Sequence, residues 1–186
     1  MGDALRGGFS LSEGRVAVVM GVSGSGKTIV AERLAARLGW ELAEADLFHS
    51  SANVEKMRSG IALTDEDRAP WLASIAQWID GVRSRGARGV VTCSALKRRY
   101  REVIVGERRD VRLVYLRGSY ELIAARLASR QHHYMPASLL RSQFDALEEP
   151  GRDENPIVVS IEAAPDRIVD SILGSDPFFF QAGKGV

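Results

Sequence analysis

Eight consecutive residues, Gly21-Val22-Ser23-Gly24-Ser25-Gly26-Lys27-Thr28, fit the pattern GxxxxGK(S/T) completely. Glycines at these places allow backbone angles that turn amide N–H groups inward around phosphate oxygens. A helix starting at Lys27 adds the positive end of its dipole. Lys27 can reach β- and γ-phosphates, and the Thr28 hydroxyl can coordinate Mg²⁺. The other reading, an ordinary glycine-rich turn, does not require all four fixed positions. The motif predicts a nucleoside triphosphate and says almost nothing about a second substrate.

Three further groups have chemistry to offer. Asp46 can accept a proton from a substrate hydroxyl, or hold Mg²⁺ directly or through water. His49, three residues on, can exchange hydrogen bonds with a hydroxyl, and Lys56 and Arg58 can meet an anion. The residues alone leave equally open a polar loop in which Asp46 caps a turn. Ser94 precedes Lys97 and Arg101, which are four apart and suited to clamp a carboxylate from one helix face; a solvated basic face shared with Arg98 and Arg99 is the alternative. Arg126 and Arg130 are also four apart. They lie before the helix-breaking run "QHHYMP", and exposed salt bridges are their plainer role. Adjacent His132 and His133, without further ligands, are a poor basis for zinc. Cys93 reads as a small buried hydrophobe.

These residues need a frame to converge. "RVAVVM", "WELAEA", "RGVVTC", "VRLVYL" and "PIVVSI" read as strands. Helices are predicted at "KTIVAERLAARLG", "TDEDRAPWLASIAQWIDGVRSRG", "ALKRRYREVIVG", "YELIAARLASR", "MPASLLRSQFDALEEP" and "APDRIVDSIL". Acidic residues 65–67 suit a helix N-terminus, and Pro70 is read as falling in the first turn. Alternating strands and helices, with several strands apolar on both faces, predict a three-layer α/β fold around a parallel five-stranded sheet. Ligands of such folds bind beyond the carboxyl ends of the strands, where all the groups above lie. Asp46 comes next to the phosphate loop if the first two strands are close.

The 186 residues, 45% hydrophobic and 26% charged, suit one soluble domain. A net charge of +1 gives no case for nucleic acid or an anionic membrane. No apolar run approaches a membrane span, the start lacks a signal-peptide core, and Arg6 spoils a myristoylation pattern at Gly2. A single cysteine rules out an intrachain disulfide and suits a reducing cytosol. Residues 1–14 are expected to be a flexible leader, 15–174 one domain with a helical lid at about 126–150, and 175–186 a tail. The tail's three phenylalanines are read as docking on the domain surface rather than binding a partner.

The stretch "ADLFHSSANVEKMRSGIALTDEDRAPWL" resembles the gluconokinase family, whose pattern here is roughly GD-x-LH-P-x-x-N-x-x-KM-x-x-G-x-x-L-x-D-x-DR-x-PWL. Asp46, His49, Asn53, Lys56, Met57, Gly60, Leu63, Asp65, Asp67, Arg68, Pro70, Trp71 and Leu72 match. Ala45 replaces the usual glycine and Ser50 the usual proline. "CSALKRRYR" and "RLASRQHHYMPASLLRSQFDALEEP" also resemble family segments, with His133 and not His132 at the family histidine. The resemblance spans about Val16 to Ile172. It implies a P-loop kinase using ATP and Mg²⁺ to convert D-gluconate to 6-phosphogluconate. It also implies a cytosolic, homodimeric enzyme of gluconate catabolism. On this reading residues 21–28 with Arg126 and Arg130 bind nucleotide, and Lys27, Asp46 and Arg130 are catalytic. Asp46, His49, Arg68, Ser94 and Lys97 face the acceptor, and Thr28 and Asp46 serve the metal. Two alternatives are a kinase of similar build acting on shikimate or a nucleoside monophosphate, and an ATP-binding regulatory module without catalysis.

Overall fold

The computed structural model describes residues 15–129, 137–176 and 179. Five strands form one parallel sheet: β1 (Val16–Met20), β2 (Glu41–Glu44), β3 (Gly89–Cys93), β4 (Val111–Arg117) and β5 (Ile157–Ser160). Their order is β2-β3-β1-β4-β5. β3 therefore separates β2 from β1, and the expected closeness of the first two strands becomes a one-strand gap. The helices are α1 (Lys27–Leu38), α2 (Ser51–Arg58), α3 (Asp65–Ser84), α4 (Arg98–Ile104), α5 (Tyr120–Ala128), α6 (Ala137–Ala146) and α7 (Pro165–Ser175).

The two-residue period of a strand sorts side chains into two apolar layers. Ala17 and Val19 of β1, with Val114 and Leu116 of β4, face Val30 and Leu34 of α1, Ile123 of α5 and Ile168, Val169 and Ile172 of α7. Val16, Val18 and Met20, with Leu113 and Tyr115, face Trp71, Ile75 and Ile79 of α3 and Ile104 of α4. β1 and β3 are buried along their whole length, as their β-branched runs predict. β2 is an exposed edge strand.

Two local readings change. A 3-10 turn at Ala45–Phe48 and helix α2 occupy what read as a charged loop. α2 lacks an apolar stripe, but Ser50 caps it, its hydroxyl accepting from the Asn53 N–H at 3.2 Å. α3 begins at Asp65 with Thr64 and Asp67 in a reciprocal capping box. Pro70 is thus the sixth helical residue, beyond the first turn, where its nitrogen cannot donate to the Glu66 carbonyl. In the tail, Phe179 is buried with its ring 5.9 Å from that of Trp40, and the tail's other phenylalanines lie outside the described residues.

Candidate active site

The phosphate loop joins the end of β1 to the start of α1. Gly21 and Gly24 have φ of 150° and 84°, and neither has room for a side chain. A Cβ on Gly21 would stand 2.7 Å from Ser25 Oγ, and one on Gly24 2.8 Å from Leu127 Cγ of α5. The second contact shows that α5 seats the loop. Val22 is buried, and its carbonyl accepts from Ser25 N–H at 3.2 Å and Lys27 Nζ at 3.1 Å. Lys27 thus folds over the loop it belongs to. The Ser23 N–H is taken by Gln143 Oε1 at 2.7 Å, so it is not among the inward-facing phosphate donors in this arrangement. Gly26 caps α1 in a left-handed conformation, and Thr28 is exposed in the first turn.

The 3-10 turn after β2 carries Asp46, exposed at the rim, and His49 at its end. His49 stacks on Trp71 of α3, with ring centroids 4.4 Å apart and planes 10° apart. Trp71 is fixed in turn, donating from Nε1 to the Ala45 carbonyl at 2.7 Å. Burial pushes the His49 pKa down; the Asp46 charge opposes this and the Arg68 charge adds to it. The imidazole is therefore neutral near pH 7, and its buried Nδ1 has no hydrogen-bond partner among the described residues. A neutral ring with an unused nitrogen suits a substrate hydroxyl. Ala45 is fully buried without a positive φ, so its backbone needs no glycine. Ser50 has φ −64°, the value proline would impose, and its cap holds the turn the family proline would stiffen.

Lys56 and Asn53 serve structure. Lys56 Nζ bonds both Asp67 carboxylate oxygens at 2.7 and 2.9 Å, and Asn53 Nδ2 donates to the Asp67 carbonyl at 2.7 Å. Together they pin α2 to the start of α3. Arg58 stays exposed at the end of α2.

Beyond β3, Cys93 is buried, and burial pushes its thiol up to about 12. Because β3 lies between β1 and β2 in the sheet, its end lies between the phosphate loop and the Asp46 turn. Ser94 is half-buried, and Ala95 adopts φ 45° while fully buried. That unusual conformation is held by Arg101, and here the expected carboxylate clamp is corrected. Arg101 is only 2% exposed. It donates to the carbonyls of Ala95 (3.1 Å), Leu96 (3.2 Å) and Glu148 (2.9 Å) and pairs with both Glu154 oxygens (2.5 and 2.9 Å). Each of its three nitrogens is engaged within the fold, and the buried group is closed to a ligand. Lys97 caps the start of α4 and points elsewhere, donating to Asp65 at 3.2 Å.

Asp65, a match to the family pattern and a helix-end charge in the sequence, is a junction in the structure. It accepts from Lys97, Arg99 and the Tyr100 hydroxyl, and these hold its carboxyl below the usual range, the Tyr100 bond most strongly. Around the Tyr100 ring stand Arg68, Lys97 and Arg99, at 5.8, 5.6 and 5.7 Å from its centroid. Arg68 also donates to the Leu63 and Thr64 carbonyls. Three cations therefore gather around Tyr100 between α3 and α4, and the charge of one, Arg68, also acts on His49. Repulsion among them is reduced when an anion joins them.

Arg126 of α5, expected to serve the nucleotide, donates to the Ile161 carbonyl just past β5. Arg130, His132 and His133 lie outside the described residues, as does the break in the expected lid. For Mg²⁺, the hard oxygens of Thr28 and Asp46 are the right donor type. Among the described residues no cluster of three His, Cys, Asp or Glu could hold a metal by itself. That fits an ion held by one or two protein oxygens together with substrate phosphates.

A family model described as an AAA domain matches residues 16–150. The gluconokinase of Gluconobacter oxydans (strain 621H) is 50% identical over 159 residues, covering 86% of this chain and 89% of that protein. Among solved structures, a sugar kinase from Janibacter sp. HTCC2649 superimposes with a TM-score of 0.83 at 44% identity, covering 91% of this chain and 96% of that one. A gluconokinase from Sinorhizobium meliloti 1021 gives 0.80 at 38% identity, covering 91% and 93%. With this likeness running through the phosphate loop, the Asp46 turn and the cationic cluster, the chain belongs to the gluconokinase family of P-loop kinases.

Proposed function

We propose that this chain transfers the γ-phosphoryl group of ATP to the primary hydroxyl of D-gluconate, giving 6-phospho-D-gluconate and ADP. The cationic cluster carries the reading. Arg68, Lys97 and Arg99 surround Tyr100, and the Arg68 charge also acts on a neutral histidine, an arrangement suited to a polyol ending in a carboxylate. In this reading the amides of the Gly24–Thr28 stretch and Lys27 hold the triphosphate. Asp46 takes the proton of the attacking hydroxyl or orients it, and His49 hydrogen-bonds a neighbouring hydroxyl. Arg68 and Lys97 receive the carboxylate, and Ser94 lines the same wall. Arg126 and Arg130 serve the nucleotide side, with the lid at about 126–150. Thr28, with Asp46 directly or through water, would hold Mg²⁺, which when bound neutralises charge on the β- and γ-phosphates.

We further assign the enzyme to the cytosol as a homodimer in gluconate catabolism, leading into the pentose phosphate or Entner–Doudoroff routes. The family membership supports these assignments. No helix among the described residues is long and apolar enough to cross a membrane.

A coupled ADP-release assay across acceptors tests the reaction. Gluconate should stimulate ADP formation far above the rate without acceptor, while shikimate and nucleoside monophosphates should not. ADP formation indifferent to gluconate but driven by another acceptor would overturn the substrate. Slow ATP loss indifferent to every acceptor would favour a regulatory module.

A further inference from the structure

One pair of hydrogen bonds reaches across 120 residues to the phosphate loop. Gln143 of α6 accepts the Ser23 N–H at its Oε1 (2.7 Å) and donates from its Nε2 to the Ser23 Oγ (3.0 Å). Both ends of the amide are used, which fixes its orientation and the peptide plane entering Ser23. The position is sensitive. Ser23 immediately precedes Gly24, whose backbone is already pressed against Leu127 and Ile123 of α5. The loop is therefore gripped on two sides, by apolar contact from α5 and by a polar clamp from α6.

Four to six residues further on, the same segment grips the acceptor side. Leu147 packs against both apolar layers. The Glu148 N–H donates to the Leu96 carbonyl at 2.8 Å, and its carboxylate accepts from the Arg98 N–H at 2.6 Å. The Glu148 carbonyl accepts from Arg101 at 2.9 Å, and the Glu149 carboxylate from the Tyr115 hydroxyl at 3.1 Å. Leu96 and Arg98 flank Lys97, and Ala95 carries the unusual φ. One short stretch thus holds the triphosphate loop at Gln143 and the post-β3 loop at Glu148.

We propose that Gln143 is a positioning residue that couples the two substrate sites. Through Ser23 it sets the geometry of the phosphate cradle, and through the short run to Glu148 that geometry depends on the post-β3 loop facing the acceptor. Filling either site then favours the arrangement required by the other, a coupling that is reciprocal by thermodynamic necessity. The proposal rests on the kinase reading above and names no new substrate. Gln143 touches neither reacting group.

The test measures Kd for a non-hydrolysable ATP analogue with and without saturating gluconate, alongside KM and kcat, in the full chain. Gln143→Met keeps the length and removes both polar ends. Gln143→Glu keeps the acceptor for Ser23 N–H but loses the donor, and Ser23→Ala removes only the hydroxyl bond and leaves α6 untouched. Loss of two ordinary hydrogen bonds should weaken analogue binding roughly tenfold in Gln143→Met. The ratio of analogue Kd values without and with gluconate should fall towards one. Gluconate affinity in the absence of nucleotide should stay within about twofold of the parent, since direct acceptor contacts are untouched. Ser23→Ala should give an intermediate loss of coupling at unchanged Tm, which keeps the test independent of any misfolding of α6 variants. Parental coupling in Gln143→Met or in Ser23→Ala would overturn the proposal. So would an equal loss of affinity for both ligands with the ratio preserved, the pattern of general loosening. A parent protein that forms no ADP in response to gluconate would instead overturn the kinase reading, so the two failures are told apart in the wild-type control.

Discussion

Replacing Arg101 by methionine separates two roles that its position four residues after Lys97 had left together. The side chain is 2% exposed and its guanidinium makes five hydrogen bonds, two of them to a Glu154 carboxylate that is 14% exposed. Methionine fills most of the volume and supplies no donor. It leaves a carboxylate and three carbonyls without that partner. Removing one member of a buried ion pair costs about 3–5 kcal/mol. The orphaned carbonyls overlap with that figure rather than adding fully to it, so about 4 kcal/mol is a fair expectation. At roughly 2–4 °C per kcal/mol for a domain of this size, Tm should fall by about 10 °C. Thermal unfolding followed by circular dichroism reads this directly, and the urea midpoint provides a second measure.

Activity should follow for a stated reason. Arg101 holds the Ala95 carbonyl while Ala95 sits at φ 45°, a conformation costing about 1–3 kcal/mol for a non-glycine residue. Without the guanidinium the Ser94–Lys97 loop relaxes, and kcat should drop well below the melting transition. A double variant, Arg101→Met with Glu154→Leu, removes the stranded carboxylate. It should be more stable than the single changes sum to, because an apolar pair can replace a buried ion pair at little cost. A carboxylate clamp predicts the opposite: unchanged Tm and a raised KM for gluconate. That outcome in Arg101→Met would refute the structural role.

Three further outcomes follow from the same site. Asp46→Asn should lower kcat by at least ~10²-fold with Tm preserved, because Asp46 is exposed; near-parental turnover in a steady-state assay would remove it from proton transfer. Burial holds the His49 pKa below its usual 6.5, so both folded and unfolded chains are neutral there above that pH, while below it the unfolded chain takes up the proton first. Stability should therefore decline as pH falls from about 6.5 through the lowered pKa, and His49→Phe, which keeps a ring on Trp71, should flatten that part of a Tm–pH curve; an identical slope in the variant would contradict the assignment. Cys93, raised to about 12, should be alkylated by iodoacetamide at pH 8 about 10³-fold more slowly than a free thiol, with full labelling in denaturant; rapid labelling of the folded chain would refute its burial.

The parts legible in the sequence were those whose physics is local. The phosphate loop needs its glycines, lysine and threonine in one contiguous run, so the run declares itself, and strands buried on both faces write themselves as unbroken apolar stretches. α2 was hidden because it has no apolar stripe; the cap at Ser50 and the ties of Lys56 and Asn53 to Asp67 hold it in place. The gap between β1 and β2 was hidden because strand order is not written in any one segment. The cations were the hardest to sort. Lys97 and Arg101 look equivalent at a spacing of four, yet one is part-exposed beside Asp65 and the other is sealed among backbone carbonyls. What separates them is Glu154, a carboxylate 53 residues further on, brought up behind α4 by the path of the chain into β5. Charge alone does not mark a ligand site. A cation whose countercharge is supplied in full from within the fold is a structural element. A cation that shares one carboxylate with its neighbours, as Lys97 and Arg99 share Asp65, leaves positive potential for a ligand to satisfy. By that criterion the acceptor site we propose belongs between α3 and α4 rather than along one face of α4.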